Sequence, residues 1–242
     1  MKQRLLLPLL AITAMLAVPA AVSAAITEIG PLGTSVAGCP GFSAADCKIV
    51  VARQTGFQAK VGTTTAFTTA KATGNVVAWS ISLVSVPAAK VKTVSTTYGG
   101  APKAAVVILQ PLGKSNFRVV GKGPLVDLTD YLGTTPTFAL PTALPIKAGQ
   151  VVGITVPTWA PILQLGVGGD TSWRSSKPLK ESVEGNYGTQ RALVGDTTDG
   201  FFAALYQRAR LVYSATVVPN PAKTKTTTTS TTAKTTPSKT TK

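Results

Sequence analysis

The carboxylates are the first residues to weigh as chemistry, because they come in near pairs: Asp127/Asp130, Glu181/Glu184 and Asp196/Asp199. Glycoside hydrolysis needs two carboxyl groups facing each other across a sugar, about 5 Å apart for retention and farther for inversion. An i, i+3 spacing in a strand-rich chain does not deliver that geometry, since facing groups come from different strands. Asp127-Leu-Thr-Asp130 and Asp196-Thr-Thr-Asp199-Gly200 read as turns, in which Asp bonds nearby backbone. Asp170, Asp196 and Asp199 are oxygen donors that calcium uses, but calcium wants about six to eight oxygens and no dense Asp/Asn/Gly loop is present. Histidine is absent and there are two cysteines, which excludes His-based triads, Cys–His nucleophiles and zinc sites of His and Cys. The glycines at 166, 168 and 169 lack the Gly-Lys-Ser/Thr ending of a phosphate loop and read as turns. No catalytic residue, metal site or cofactor is expected.

Binding chemistry is carried by aromatics. Trp79, Trp159 and Trp173 are the three tryptophans. Trp79 follows the apolar face of its strand and belongs to the core. Trp159 stands in Pro157-Thr-Trp-Ala-Pro161, read as a proline-bracketed loop, and Trp173 in Asp170-Thr-Ser-Trp-Arg174, after a glycine-rich turn. Loop aromatics beside small polar residues suit sugar stacking or protein contact, because a rigid ring supplies area at low entropy cost. Folding back as lids on the end of a sandwich is the competing role for such rings. Trp159, Trp173, Arg174 and Tyr187 form the candidate ligand-binding set, with Gln190 and Arg191 as further polar neighbours of Tyr187.

The elements that must position these residues are strands. Val77, Trp79, Ile81 and Leu83 alternate with Ala78, Ser80 and Ser82, as a half-buried strand requires. Further Val/Ile/Thr/aromatic runs cover residues 104–110, 117–121, 150–156, 162–167, 201–207 and 209–218. Pro111, Pro124, Pro141, Pro145, Pro157 and Pro161 punctuate the gaps, as expected of loops and strand ends. No long window has amphipathic helical periodicity. Short strands at this spacing, with no helical crossovers, predict an all-β fold: one antiparallel β-sandwich or jelly-roll-like domain over residues 48–218.

The flanks have other characters. Residues 1–24 follow the order of a secretory signal peptide, with Lys2 and Arg4, an apolar run from Leu5 to Val18, and small residues before cleavage after Ala24 or Ala25. In an exported chain Cys39 and Cys47 are expected to pair, clipping an entry segment over 25–47 with about 2–3 kcal/mol of loop entropy. From Pro219 the chain turns to threonine, lysine, serine and alanine, with 11 threonines in the last 24 residues. Such a tail over 219–242 buries too little to order itself, so it is expected to be disordered and suits O-glycosylation or electrostatic adhesion. No transmembrane segment is expected once the signal is removed.

The whole chain holds 24 Lys and Arg against nine Asp and Glu, a net charge of +15. Outside a cell such a field favours wall polymers, anionic polysaccharides, membrane surfaces or free nucleic acid. The basic residues of the body are scattered and not interleaved with aromatics on one element, so no specific nucleic-acid partner is expected.

The segment Pro145-Ile-Lys-Ala-Gly-Gln-Val-Val-Gly-Ile154, Trp79 in its strand, and the closing Arg210-Leu-Val-Tyr-Ser-Ala-Thr-Val-Val-Pro219 resemble exported β-sandwich proteins of high-GC Gram-positive bacteria. That group more often has Asp where this chain has Gln150. The resemblance spans roughly residues 74–219, and implies a sandwich fold and bacterial export but no activity and no site residue. The expectation is a secreted, non-enzymatic binding or adhesion module at the cell envelope, touching glycan or protein through end loops. A carbohydrate-active hydrolase using paired carboxylates and a structural envelope or matrix subunit are the alternatives.

Overall fold

A computed structural model describes residues 25–41, 47–176 and 199–221. In chain order the first elements are β1 (Thr27–Ile29), β2 (Val50–Val61), β3 (Thr64–Thr65), β4 (Gly74–Ile81) and the helix α1 (Ala88–Tyr98). Then come β5 (Lys103–Gly113), β6 (Asn116–Lys122), β7 (Val126–Asp127), a 3₁₀ turn at Thr129–Tyr131, β8 (Thr137–Ile146) and β9 (Val151–Pro161). The chain closes with β10 (Leu163–Leu165), β11 (Ser172–Ser175), β12 (Asp199–Phe201), β13 (Ala204–Gln207), β14 (Ala209–Leu211) and β15 (Tyr213–Pro219). The predicted signal peptide and tail lie outside the described residues, apart from Pro219–Pro221.

Every strand pairing among the described residues is antiparallel. A small sheet runs β1-β15-β4-β8, and a large one runs β12-β6-β5-β9-β2-β11-β13, with β3 and β7 appended and β10-β14 as a separate pair. The fold is therefore the expected all-β sandwich. Its main core lies between the sheets, where Val76, Trp79 and Ile81 of β4 and Tyr213 and Ala215 of β15 meet Val106 and Ile108 of β5 and Val152 and Ile154 of β9. Buried and less buried residues alternate along β15 from Ala215 and along β4 from Trp79 to Ile81, so one face of the small sheet is driven inward.

The large sheet curls. Its two end strands, β12 and β13, are separated in the chain by only Phe202 and Ala203. The intervening residues of β5, Val107 and Leu109, therefore also bury, in a second cluster with Phe57, Val119, Val151 and Phe202 on the concave face. β5 is apolar on both faces for that reason.

Several local expectations change. In β4 the register shifts between Val76 and Ala78, so Val76 takes the inward place and Val77 is only partly buried. The run 209–218 divides at Val212 into β14 and β15, which pair with different partners. The run 201–207 likewise splits into strands at opposite edges of the large sheet. Pro111, Pro141, Pro145, Pro157 and Pro161 lie within or end strands. β8 tolerates two prolines because it is the edge of its sheet, where a missing N–H faces no partner.

The helix α1 is the element that periodicity did not announce. None of its residues is buried, so it carries no apolar stripe to detect. Pro87 precedes its first turn, and Gly99, in the left-handed region at φ 83°, ends it by donating its N–H to the Ser95 carbonyl. Thr93, Thr96 and Thr97 turn their hydroxyls back onto carbonyls four residues earlier.

Candidate functional site

The structure places Trp159 in a strand, not a loop. It lies in β9 opposite Ala52 of β2, fully buried. The ladder between these strands shifts register between Ala52 and Gln54, with Arg53 in the left-handed region at φ 50°. That bulge accepts Pro157 without breaking the sheet, because a bulged position has no ladder bond to lose. Beyond the bulge the Trp159 ring faces away from the sandwich core, toward α1. Its indole N–H donates to the Gly100 carbonyl at 3.1 Å and the Ser95 hydroxyl at 3.2 Å, which fastens the helix to the sheet.

Trp173 lies in β11, between Gln58 of β2 and Tyr206 of β13, and is 2 % exposed. Its ring stacks on Tyr206, centroids 4.4 Å apart and planes inclined by 15°. Gly56 makes room for it: a Cβ there would stand 2.9 Å from the ring's Cζ3. Nearby, Ser175 donates its hydroxyl to the Gln54 amide oxygen, and Thr55 donates to Thr155 at 2.8 Å, which locks β2 to β11 and β9. Both tryptophans thus serve packing in the described structure.

Arg174 points the other way. It sits across from Phe57 on the concave face and donates from Nη1 to the Phe202 carbonyl at 3.2 Å. Tyr187, Gln190 and Arg191 lie outside the described residues, as do Glu181, Glu184 and Asp196. Of the described members of the candidate ligand-binding set, Arg174 lines a cavity.

That cavity holds about 350 Å³ and is walled by Phe57, Phe117, Val151, Pro111, Ser115 and Arg174. Phe57, Phe117 and Phe202 pack as a trio beside it, with centroids 4.9, 5.1 and 5.6 Å apart. These phenylalanines are not among the candidate residues read from the sequence. Their signal was the apolar alternation of 57 with 59 and of 117 with 119, on strands assumed to bury a single face. A second concavity, about 560 Å³, opens beside β1, where Thr27, Thr64, Thr65, Phe67 and Lys71 form its wall.

The described carboxylates do not gather. Asp127 accepts hydrogen bonds from the Thr129 hydroxyl and backbone N–H, and these hold its pKa below the usual carboxylate range. It is the expected turn. Asp199 belongs to edge strand β12, not a turn, and pairs with Arg118 of β6 at 2.6 and 3.0 Å, which lowers its pKa. Among the described residues no three His, Cys, Asp or Glu stand close enough to share a metal ion. Cys39 and Cys47 form the expected disulfide.

No protein-family model, curated protein or solved structure matches the chain.

Two chemically distinct surfaces stand out among the described residues: a phenylalanine-walled cavity with one guanidinium, and a threonine-lined groove with one ammonium and the Glu28 carboxylate. No helix among the described residues is long and apolar enough to cross a membrane.

Proposed function

We propose that this protein is exported and works by binding, without catalysis, at the cell envelope, where its cationic surface and tail hold anionic wall polymers. The observation that carries this reading is the charge: 24 basic side chains against nine acids, or 22 against nine once Lys2 and Arg4 leave with the signal peptide. So 22 − 9 = 13 positive charges stay that no arrangement of ion pairs neutralises. A cation without a paired acid is free to attract a polyanion, and many weak contacts add across one long polymer. The Cys39–Cys47 disulfide supports an oxidising location outside the cytoplasm. The groove beside β1 supports glycan contact, since its threonine hydroxyls and Lys71 offer the donors that sugars and their acidic groups accept. In this reading Trp159 and Trp173 hold the frame.

The test is a pull-down on purified cell walls and insoluble polysaccharides, with and without Pro219–Lys242, at low and high salt. Retention lost with the tail or with salt identifies electrostatic adhesion, which exposed charges lose on screening. Retention surviving both places a specific site in the body. No retention under any condition rejects the envelope-binding reading.

A further inference from the structure

Arg174 is a partly buried cation on a concave apolar wall. Besides the Phe202 carbonyl, it meets no other acceptor among the described residues, and no described carboxylate lines its cavity. Among the described residues its guanidinium therefore has N–H groups left over beside Phe57 and Phe117. A guanidinium so placed gains a charge-assisted hydrogen bond from an anion that reaches it.

The surrounding geometry is held under strain. Lys114 and Ser115, at the turn joining β5 to β6, sit in the left-handed region at φ 49° and 62°, although neither is glycine. The Ser115 carbonyl accepts the Phe202 N–H at 2.8 Å, and the Phe202 carbonyl in turn accepts from Arg174. The strained turn thus fixes the residue that orients the guanidinium. Such backbone outliers persist where surrounding contacts over-determine them, often at ligand sites.

We propose that this cavity is a binding site for a small aromatic carboxylate. The carboxylate takes the free edge of the Arg174 guanidinium, and the ring lies against Phe57 and Phe117. The guanidinium fork matches two carboxylate oxygens, and flat rings pack on phenylalanine in offset or tilted geometry. A cavity of about 350 Å³ falls at the lower end of small-ligand sites. This site is separate from the polymer-binding surface proposed above and stands or falls without it.

The experiment is calorimetric titration of the purified exported chain with 2-naphthoate, and with 2-naphthamide as its neutral isostere. Saturable one-to-one binding of the acid is expected, with the amide about tenfold weaker or more, the usual loss for a missing charge-assisted bond. Arg174→Gln should abolish that preference, Arg174→Lys should keep part of it, and Phe117→Ala should weaken both ligands. Circular dichroism identifies any variant that does not fold, and the acid-versus-amide comparison on the wild-type chain then tests the same charge requirement. Absence of saturable binding, equal binding of acid and amide, or indifference to Arg174→Gln in a folded variant overturns the proposal. Binding that ignores Phe117→Ala and vanishes with salt is surface pairing and also overturns it.

Discussion

Tyr213 donates a 2.8 Å hydrogen bond from its hydroxyl to the Val152 carbonyl, crossing the buried core from β15 in the small sheet to β9 in the large one. The Gln58 N–H donates to the same hydroxyl at 3.4 Å, while the Gln58 side chain accepts from the Leu211 N–H at 2.7 Å. The two layers are therefore joined by polar ties as well as by apolar contact.

Tyr213→Phe should lower stability by about 1–2 kcal/mol, because two buried groups lose a partner. The effect also has a pH signature. Burial raises the Tyr213 pKa well above its ordinary 10.0. Above that ordinary value the unfolded chain releases a proton that the native chain keeps, so stability falls as pH rises. Urea melts at about pH 8 and pH 11 should show a steeper alkaline loss for the parent chain than for Tyr213→Phe.

Trp159→Phe should keep most of the ring's apolar burial while removing the N–H bonds to Gly100 and Ser95. We expect amide exchange across residues 88–101 to accelerate about tenfold, with β9 little changed, since a lost hydrogen bond releases roughly 1–2 kcal/mol of local protection. Exchange measured by mass spectrometry reads this directly, and uniform acceleration through the sandwich would contradict it.

Gly56→Ala should destabilise the fold by about 1–3 kcal/mol, the usual range for overpacking. The added methyl would meet Trp173 Cζ3 at 2.9 Å and the Arg174 carbonyl at 3.0 Å, one a packed ring and the other a backbone atom. Combined with Trp173→Leu, which costs stability on its own, Gly56→Ala should cost less than it does alone in a denaturant melt, a non-additivity that a purely backbone clash would not give.

Replacing both Cys39 and Cys47 by Ser should lower unfolding free energy by about 2–3 kcal/mol through restored freedom of a short loop in the unfolded chain. Urea melts with and without reductant should agree with the double variant. An unchanged midpoint would mean that the entry segment opens independently of the sandwich.

The sheet content and inward faces of this protein are legible in its sequence because Trp79, Ile81, Tyr213 and Ala215 obey period-two alternation and bury accordingly. The bulges are not, since nothing local in Val76-Val77 or Arg53-Gln54 marks a register shift. Proline misled at Trp159. Pro157 and Pro161 signal a loop by chain statistics, yet a bulge and a strand end absorb both. The concave cavity was hidden for a different reason. Phe57, Phe117 and Phe202 are distant in the chain and meet only because the large sheet curls on itself. Arg174 could be named from its neighbours, but its orientation depends on which face of β11 Trp173 takes.

β1 lies antiparallel beside β15, with Thr27 opposite Val217. The two described ends of the polypeptide consequently leave from the same edge of the small sheet. Tension applied between them opens the β1–β15 ladder like a zipper, one rung at a time, and three residues of pairing yield at low force. β15 itself is still flanked by β4 along its seven residues. A pull on the tail against a load carried elsewhere in the body meets this longer ladder, and its mechanical resistance depends on the direction of the load.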